Sequence, residues 1–307
     1  MNARSWLQSG GIRTGVDYHA PFRGSLMGSL AVTNSPNGCL IRDPQPLISI
    51  IIPTRNSAST LSILLRSVQL QTYSHREVLV IDNGSTDSTI QIARKYRCKV
   101  LEAGPERSAQ RNTGARAAQG DLFLFLDADM ELTLGILEAC VQRAREADGL
   151  CIREVTVGRT YWARVRAFER LRYFRSDLFE AARCFWRDVF EHLGGYDPAL
   201  TGLEDYDLHA RFHQARFRLG WVETPLLHHE EAVGFCSYLG KRQYYGSTDW
   251  IYAAKHPLRW RQQRSLPRRL RCILGKPLRA TDLLLLPGLI TMRGVEWLLR
   301  NSRKGRA

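Results

Sequence analysis

The chain has 307 residues, 44% of them hydrophobic and 24% charged, and its 44 Lys and Arg residues outnumber its 30 Asp and Glu residues, for a formal net charge of +14. This composition is typical of a globular protein with a sizeable core, and it excludes disordered, collagen-like and coiled-coil architectures. No stretch approaches the roughly 18–20 consecutive apolar residues that a membrane-spanning helix needs, so a transmembrane channel or transporter is not expected.

The positive charge is concentrated at the C-terminal end of the chain. Residues 255–307 carry a net charge of +12, which leaves residues 1–254 nearly neutral. The largely apolar run 283–290 lies within this segment, and apolar residues flanked by Arg are typical of a helix that lies on an anionic membrane surface. A helix pair packed on the body with a solvated basic face explains the pattern equally well. We therefore predict a basic helical extension over residues 255–307 and leave its role as a membrane-surface anchor open.

The cysteines and the N-terminal segment indicate a cellular location. The seven cysteines are widely spaced and form no C-x-x-C pair, so neither a disulfide framework nor a zinc ribbon is expected. The expected compartment is the reducing cytoplasm. Residues 1–46 lack the sustained apolar segment of a signal peptide and are rich in Gly, Ser, Asn and Pro. We predict a poorly ordered leader there.

From Leu47 onward, short apolar runs alternate with segments of helical periodicity. The predicted strands cover 47–53, 77–82, 99–101 and 121–127, and the predicted helices cover 57–71, 85–96 and 106–119. The first run is rich in β-branched residues and ends at Pro53, which is typical of a strand buried on both faces. Strict alternation predicts right-handed βαβ units. Residues 47–254 are therefore expected to form an α/β domain with a mostly parallel sheet and helices on both faces.

Ligand sites in such sheets lie beyond the carboxyl ends of the strands. The sequence after the strands shows neither the glycine-rich loop of a dinucleotide-binding protein nor a P-loop. The strand ends carry Asp82 and the pair Asp127 and Asp129 instead. A D-x-D pattern alone is weak evidence, but carboxylates directly after a buried strand repel a diphosphate unless a cation intervenes, so the pair predicts a bridging Mg²⁺ or Mn²⁺. Asp82 can accept hydrogen bonds from a base or a ribose.

Five motifs in a fixed order resemble those of one enzyme family. They are Ser49-Ile50-Ile51-Ile52-Pro53-Thr54-Arg55-Asn56, Val80-Ile81-Asp82-Asn83-Gly84-Ser85-Thr86-Asp87, Gln110-Arg111-Asn112-Thr113-Gly114, Phe125-Leu126-Asp127-Ala128-Asp129, and Gly194-Gly195-Tyr196-Asp197 followed by Glu204-Asp205-Tyr206-Asp207-Leu208. At these separations they resemble the inverting, nucleotide-sugar-dependent glycosyltransferases of family 2, which have the GT-A fold. The resemblance runs from about Ile48 to Tyr245, and Asn83 stands where the family often has Asp.

The resemblance implies a donor site at the strand ends. The residues it assigns to the nucleotide sugar are Pro53, Thr54, Asn56, Asp82, Arg107, Arg111 and Asp127. Pro53, Thr54 and Asp82 would hold the base and ribose. The arginines would face the diphosphate at the start of a helix, whose dipole also favours phosphate. Asp129 is implied as the primary ligand of the divalent metal, with Asp127 as an accessory ligand.

The resemblance also implies the catalytic groups. A sugar hydroxyl is a poor nucleophile at neutral pH, so a carboxylate must take its proton; Asp205 matches the family's base, and Glu204 would support it. Asp207 points elsewhere on the same helix and is predicted to be a surface or capping residue. A His from the region of His228 and His229 completes the metal site in many relatives, and the sequence leaves open which of the two faces it.

The acceptor is indicated only by class. Residues 160–190 are rich in aromatic residues, and eight Arg lie between Arg159 and Arg187. Because aromatics stack on sugars and Arg pairs with phosphate, we expect a glycan or lipid-linked acceptor; a core-facing helix with a solvated Arg face explains the same pattern. The Q-x-x-R-W signature of processive synthases is not evident, which favours transfer of a single sugar. The expected setting is polysaccharide biosynthesis in the cytoplasm, peripheral on the inner face of the plasma membrane.

Two alternatives remain open. A sugar-1-phosphate nucleotidyltransferase has a similar fold and metal requirement, but it normally begins with a Gly-rich basic loop that residues 53–56 lack. A nucleic-acid-binding protein would account for the basic C-terminal segment, but no recognised binding motif accompanies the charge, so no nucleic-acid partner is expected.

Overall fold

The computed structural model describes residues 42–230 and 234–301, and in these ranges it contains an eight-stranded sheet. The strands are β1 (Ile48–Thr54), β2 (Arg76–Asp82), β3 (Lys99–Glu102), β4 (Leu122–Phe125), β5 (Met130–Leu132), β6 (Gly149–Val157), β7 (Cys184–Trp186) and β8 (Leu219–His229). The leader predicted over residues 1–46 lies outside the described residues, except for residues 42–46.

Helices follow most of the strands and form the whole C-terminal part of the described chain. They are α1 (Ala58–Gln69), α2 (Thr89–Lys95), α3 (Arg107–Ala117), α4 (Ile136–Ala144), α5 (Tyr161–Tyr173), α6 (Arg187–His192), α7 (Glu204–Gln214), α8 (Phe235–Tyr245), α9 (Asp249–Lys255), α10 (Pro257–Arg264), α11 (Leu266–Leu274), α12 (Ala280–Leu283) and α13 (Leu286–Asn301). Within the described ranges, no helix is long and apolar enough to cross a membrane.

The sheet has the strand order β3-β2-β1-β4-β7-β6-β8-β5. Strands β3, β2, β1 and β4 are parallel, as predicted from the βαβ alternation. Strand β7 runs antiparallel to both β4 and β6, and β5 forms an antiparallel edge on β8. The α/β fold with a predominantly parallel sheet and a helical C-terminal extension is therefore confirmed.

Strand β1 is central because it pairs on both sides. Ile48 lies opposite Arg76 of β2 and Leu122 of β4, and every residue of β1 is buried. A strand with two neighbours and covered faces needs apolar side chains at every position, which explains the unbroken run of β-branched residues. The carboxyl ends of β1, β2 and β4 consequently meet at the same edge of the sheet.

Helix α3 approaches this part of the sheet very closely. A Cβ at Gly114 would lie 2.5 Å from Cγ2 of Ile51 in β1 and 3.1 Å from Cγ1 of Ile81 in β2. Only glycine permits this approach, which explains the last residue of the Gln-Arg-Asn-Thr-Gly motif. The close packing fixes the position of the arginines on α3 relative to the strand ends.

The starts of α1 and α2 differ from the prediction. The side chain of Ser57 makes no capping hydrogen bond; instead Oδ2 of Asp87 accepts from the backbone N–H of Ala58 at 3.1 Å. Helix α2 begins at Thr89 rather than at Ser85, because Ser85 donates to the carboxylate of Asp82 in the preceding loop. The start of α1 is therefore capped by a residue of the loop that follows β2.

A second apolar core joins α5 to the C-terminal helices. Val165 and Phe168 of α5 pack with Ile273 of α11 and with Leu289 and Met292 of α13. Val165 is fully buried and Met292 is 1% exposed, so these contacts exclude water. The basic extension is thus packed against the body through α5.

Candidate active site

The ends of β1 and β2 are joined by a buried hydrogen-bond network. The Thr54 hydroxyl donates to Oδ1 of Asp82 at 2.8 Å, and the backbone N–H of Ser85 donates to Oδ2 at 2.7 Å. Gln110 of α3 donates to the carbonyl oxygens of both Thr54 and Ile81. Asp82 is 1% exposed, so this network sets the shape of the cleft between the two strand ends.

The other two residues predicted at the first strand end lie beside this network. Pro53 is buried in β1 opposite Ile81. Asn56 is exposed and has a positive φ of 49°, a conformation that Asn tolerates better than most residues. Its Oδ1 accepts from the backbone N–H of Thr86 at 2.8 Å, which ties the two loops together. Pro53, Thr54, Asn56 and Asp82, all predicted to contact the nucleotide sugar, therefore lie at one edge of the sheet.

Arg111 connects three of the predicted site residues. Its guanidinium donates to Oδ1 of Asp127 at 2.7 Å and to Oε1 of Glu204 at 3.0 Å, and it lies over the ring of Tyr196. Arg107, one turn earlier on α3, contacts the same Glu204 oxygen at 3.1 Å. Two cations on one helix face thus hold carboxylates from β4's end and from the start of α7.

The surrounding charges shift the pKa values of two carboxyl groups of the site, Asp127 and Asp205, in opposite directions. Burial disfavours the charged form of Asp127, but Arg111, Arg107 and Arg183 outweigh this effect and hold its pKa well below the usual range. Asp205 has the opposite shift, because burial and the adjacent charge of Glu204 raise its pKa to about 6 despite the nearby arginines. Asp127 is therefore a permanent anion, whereas Asp205 exchanges a proton close to neutral pH.

Asp127 and Asp205 line the same cavity. It has a volume of about 330 Å³ and extends from the end of β4 to the C-terminal helices. A smaller pocket of about 50 Å³, which contacts Arg107, Arg111 and Glu204, shares both aspartates. The residues that the sequence assigned to catalysis and to the diphosphate are thus brought together around connected spaces.

The two predicted histidines separate clearly. Nε2 of His228 lies 3.4 Å from Oδ1 of Asp129, whereas Nε2 of His229 contacts Glu131 at 2.7 Å. Burial disfavours the imidazolium of His228, but its hydrogen bonds with Asp129 and Glu154 outweigh burial and raise its pKa to about 9. Adjacent residues on a strand point to opposite faces, so only His228 faces the strand-end carboxylates.

A metal ion is implied here by the carboxylates, and the side chains present are compatible with one. Asp129 is 38% exposed and therefore accessible. A carboxylate oxygen and an imidazole nitrogen suit Mn²⁺ or Mg²⁺ when diphosphate or water oxygens supply the remaining ligands, and because the pKa of His228 is raised, a bound cation would have to displace its proton. Across residues 42–230 and 234–301, no group of three or more His, Cys, Asp and Glu side chains is arranged to hold a metal ion. The side chains that could hold a metal ion here are Asp129 and His228, while Oδ1 of Asp127, the predicted accessory ligand, accepts a hydrogen bond from Arg111 at 2.7 Å.

The structure corrects the prediction for Asp207. This residue is fully buried, and it accepts hydrogen bonds from Arg211, Lys255 and His256 at 2.8–2.9 Å. Asp207 lies two residues after Asp205 on α7, so its side chain points in a different direction, toward the end of α9 rather than toward solvent. Asp207 is thus an interior ionic link between α7 and the following helices.

Several cavity residues were not predicted individually. Arg183 precedes β7, is buried, and pairs with Glu154 of β6, and its charge acts on both Asp127 and Asp205. Arg170 of α5 contacts Nδ1 of His228 at 3.1 Å. The number of Arg between residues 159 and 187 signalled a charged site, but the spacing did not identify which ones enter it.

The fold is that of the GT-A glycosyltransferases. The mannosyltransferase PcManGT from Pyrobaculum calidifontis, solved with GDP-Man and Mn²⁺, matches with a TM-score of 0.57 over 85% of this chain and 88% of its own, at 19% identity. Residues 1–349 of S. aureus TarS, solved with UDP-GlcNAc, match with a TM-score of 0.51 over 84% of this chain and 91% of that chain, at 18% identity.

The sequence comparisons define the family. The model of glycosyl transferase family 2 matches residues 49–193. A PGL/p-HBAD biosynthesis glycosyltransferase of Mycobacterium tuberculosis is 30% identical over 178 residues, which are 54% of this chain and 69% of the relative. AglE, a glycosyltransferase of Haloferax volcanii, is 41% identical over 93 residues, 27% of this chain and 31% of the relative's own length. The chain belongs to glycosyltransferase family 2, as the motifs indicated, and neither alternative considered from the sequence is favoured.

Proposed function

We propose that this glycosyltransferase is an inverting enzyme that transfers a single sugar from a nucleotide-diphosphate sugar to a hydroxyl group of a glycan or lipid-linked acceptor. The donor would be a hexosyl or N-acetylhexosaminyl nucleotide. The main support is that Asp205, whose pKa is raised to about 6, lines the same cavity as Asp127 at the strand end. The proposed proton acceptor, Asp205, and the carboxylate that would lie nearest the diphosphate, Asp127, thus line the same cavity.

In this proposal Asp205 takes the proton of the attacking hydroxyl. A base with a pKa near 6 is ionised at neutral pH and still accepts a proton readily, which is the range in which general base catalysis works well. Glu204 raises that pKa and is itself held by Arg107 and Arg111. These two arginines would also balance the negative charge of the leaving nucleoside diphosphate.

Asp129 and His228 would hold the divalent cation. Asp127 would lie beside the cation, with its carboxylate held in place by Arg111. When bound, Mn²⁺ or Mg²⁺ would neutralise the diphosphate oxygens as their bond to the anomeric carbon breaks. His229 is paired with Glu131, so we assign it no ligand role. Thr54, Asp82 and Asn56 would shape the cleft for base and ribose together with Pro53, since their hydrogen bonds fix the two strand-end loops.

The proposal is tested with a panel of nucleotide sugars. Isothermal titration in the presence of Mn²⁺ should detect binding of one donor, and release of its nucleoside diphosphate should require a divalent cation. Asp129→Ala should weaken metal-dependent donor binding, while Glu131→Gln, which alters the carboxylate beside His229, should leave it near the wild-type value. Failure of every donor to bind, or full metal-dependent turnover by Asp129→Ala, would refute the proposal.

We also propose that the enzyme works on the anionic inner face of the plasma membrane. Leu266, Leu270 and Leu274 form a stripe along one side of α11 and are 65%, 42% and 54% exposed. Arg268 and Arg271 of the same helix are exposed, so the apolar stripe is accompanied by positive charge. Exposed leucines beside arginines are complementary to the acyl boundary and to anionic headgroups, respectively.

This membrane proposal is tested on the full chain. The triple variant L266S/L270S/L274S should lose most of its co-sedimentation with vesicles containing anionic lipid. The matched control I63S/L70S/L134S, which removes exposed apolar residues of the N-terminal half, should bind like the wild type. Wild-type binding should weaken with added salt and be weak on purely zwitterionic vesicles. Equal sedimentation of both triple variants would argue against α11 as the docking element.

A further inference from the structure

The C-terminal helices form one wall of the cavity that contains Asp205. Trp260, Gln263 and Arg264 of α10 line it, as do Arg269 of α11 and Arg293 of α13. Asp127, Asp205 and Tyr206 line the same cavity. The space next to the candidate base is therefore bounded by two parts of the chain that are remote in sequence.

Most of the arginines in this cavity already have a carboxylate partner. Six of its seven arginines have a carboxylate oxygen within 4.0 Å: Arg166, Arg170, Arg183, Arg242, Arg269 and Arg293. Their partners are Glu154, Glu169, Glu230 and Glu296, so these ion pairs build the walls. Their guanidinium groups are thus already engaged by carboxylates of the protein.

Arg264 is different from the other cavity arginines. Among the described residues, no carboxylate lies within 4.0 Å of its guanidinium. The guanidinium carbon lies over the ring of Trp260, 5.1 Å from the ring centre. Stacking on an aromatic ring holds the guanidinium plane while leaving its N–H groups available to an oxyanion. Glu180, which also lines the cavity, does not supply the missing charge, because burial raises its pKa to about 8.

We propose that the α10 end of the cavity is a subsite for a negatively charged group of the acceptor, a phosphate or a carboxylate, which Arg264 binds while the attacking hydroxyl lies at Asp205. The inference rests on the proposed function and narrows its acceptor to an anionic class. Planar guanidinium groups recognise phosphate and carboxylate in the same bidentate way, so the structure assigns this shared chemistry.

The test uses three acceptors that differ in one group: octyl glucoside, octyl glucuronide and octyl 6-phosphoglucoside. With the donor that binds best, wild-type kcat/KM should be highest for one of the two charged acceptors, and which one it is distinguishes carboxylate from phosphate. R264Q should lower that value by about 10–100-fold, mainly through KM, since a charge-assisted hydrogen bond contributes roughly 1.5–3 kcal/mol. Its activity on octyl glucoside should stay unchanged.

Arg261 provides the matched control. It lies on the same helix, is exposed and is not among the cavity residues, so R261Q should behave like the wild type with all three acceptors. R264K should recover part of the charged preference. A wild type without preference for a charged acceptor, or an R264Q variant that loses activity equally on all three, would overturn the subsite.

Direct binding separates the subsite from the proposed function. Titration of the protein with octyl 6-phosphoglucoside and octyl glucuronide needs no donor, and R264Q should bind the preferred one at least tenfold more weakly at an unchanged melting temperature. If no nucleotide sugar binds but this difference remains, the transferase proposal fails and the anion subsite stands. If neither charged glycoside binds the wild type, or if R264Q binds both as the wild type does, the subsite is refuted.

Discussion

Asp205 shows how a single side chain acquires a chemical role from its surroundings. Burial alone would raise the pKa of any carboxyl, and the adjacent Glu204 adds to that effect, while Arg107, Arg111 and Arg183 limit the increase. The balance leaves the pKa of Asp205 at about 6, above the ordinary value of 3.8 for an aspartate. A slightly different set of neighbours would produce either a permanent anion, as at Asp127, or a permanently protonated acid.

The first prediction concerns removal of this base. Asp205→Asn keeps the size and shape of the side chain but cannot take a proton, so transfer should fall by about 10²–10⁴-fold. Donor affinity, measured by titration calorimetry, should stay within a few-fold of the wild type. Normal turnover with weakened donor binding would instead assign Asp205 to the donor and place the base elsewhere.

The second prediction follows from the sign of the pKa shift. Because the raised pKa keeps Asp205 protonated below about pH 6, kcat/KM should fall as pH decreases through 6 and should be level above it. The fall should approach tenfold per pH unit on the acid side. A kcat/KM profile between pH 4.5 and 8 checks this, and activity that stays constant down to pH 4.5 would contradict it.

At the scale of single residues, the sequence identified the carboxylates at the strand ends but not all of the charged residues of the site. Asp82, Asp127 and Asp129 follow apolar strands, so their place at one sheet edge could be deduced from the alternation of strands and helices. Arg183 and Glu154 could not be deduced, because their meeting depends on the antiparallel β7, three residues long, inserted between β4 and β6. A three-residue strand has no periodicity of its own.

At the scale of elements, helix α3 illustrates how a motif serves packing and chemistry together. Its glycine lies against the sheet while its arginines face the site, so the distance from α3 to the strands fixes where the cations lie. The sequence predicted α3 within two residues at each end, since local periodicity marks helices well. It did not predict the cap of α1 by Asp87, because that contact joins residues from different loops.

The third prediction compares two glycine-to-alanine substitutions in helices. Gly114→Ala should destabilise the protein by about 1–3 kcal/mol, because the new methyl group would lie against Ile51 and Ile81. Gly294→Ala in α13 meets no atom within 4 Å and should stabilise by up to about 1 kcal/mol through helix propensity. Urea denaturation measures both, and equal effects of the two substitutions would show that α3 can shift away from the sheet.

The fourth prediction concerns the buried link between α7 and α9. Asp207→Asn should lower the free energy of unfolding by about 3 kcal/mol, because it leaves Arg211, Lys255 and the buried His256 without their anion. Glu223→Gln removes an exposed pair with Arg175 and should cost less than about 1 kcal/mol. If the two variants unfold at the same urea concentration, Asp207 is not the stabilising link that its burial suggests.

At the scale of the whole molecule, the uneven charge distribution has a structural counterpart. The nearly neutral body contains the strand-end residues of the site, and the basic C-terminal segment contributes residues to the lining of the cavity and packs on α5. From the sequence this segment could be described only as a helical extension with two possible roles. Its contact with the cavity depends on long-range pairs such as Arg293 with Glu169, 124 residues apart, which no local pattern encodes.

The fifth prediction follows from this packing. A chain that ends after Lys255 would expose Val165 and Phe168 and would leave Glu169 without Arg269 and Arg293. We expect it to bind a hydrophobic dye, to unfold at a lower temperature than the full chain, and to lose soluble yield. An unchanged melting temperature would show instead that residues 42–255 fold independently of the extension.

The two-part wall of the cavity also sets an order of events during protein synthesis. The strand-end motifs leave the ribosome first and can fold locally, since N-terminal parts of a chain begin to fold while the rest is still being made. The part of the cavity lining that comes from α10, α11 and α13 is translated after them. A nascent chain can therefore form the cleft at the strand ends before the helices that line the space beside Asp205 have been made.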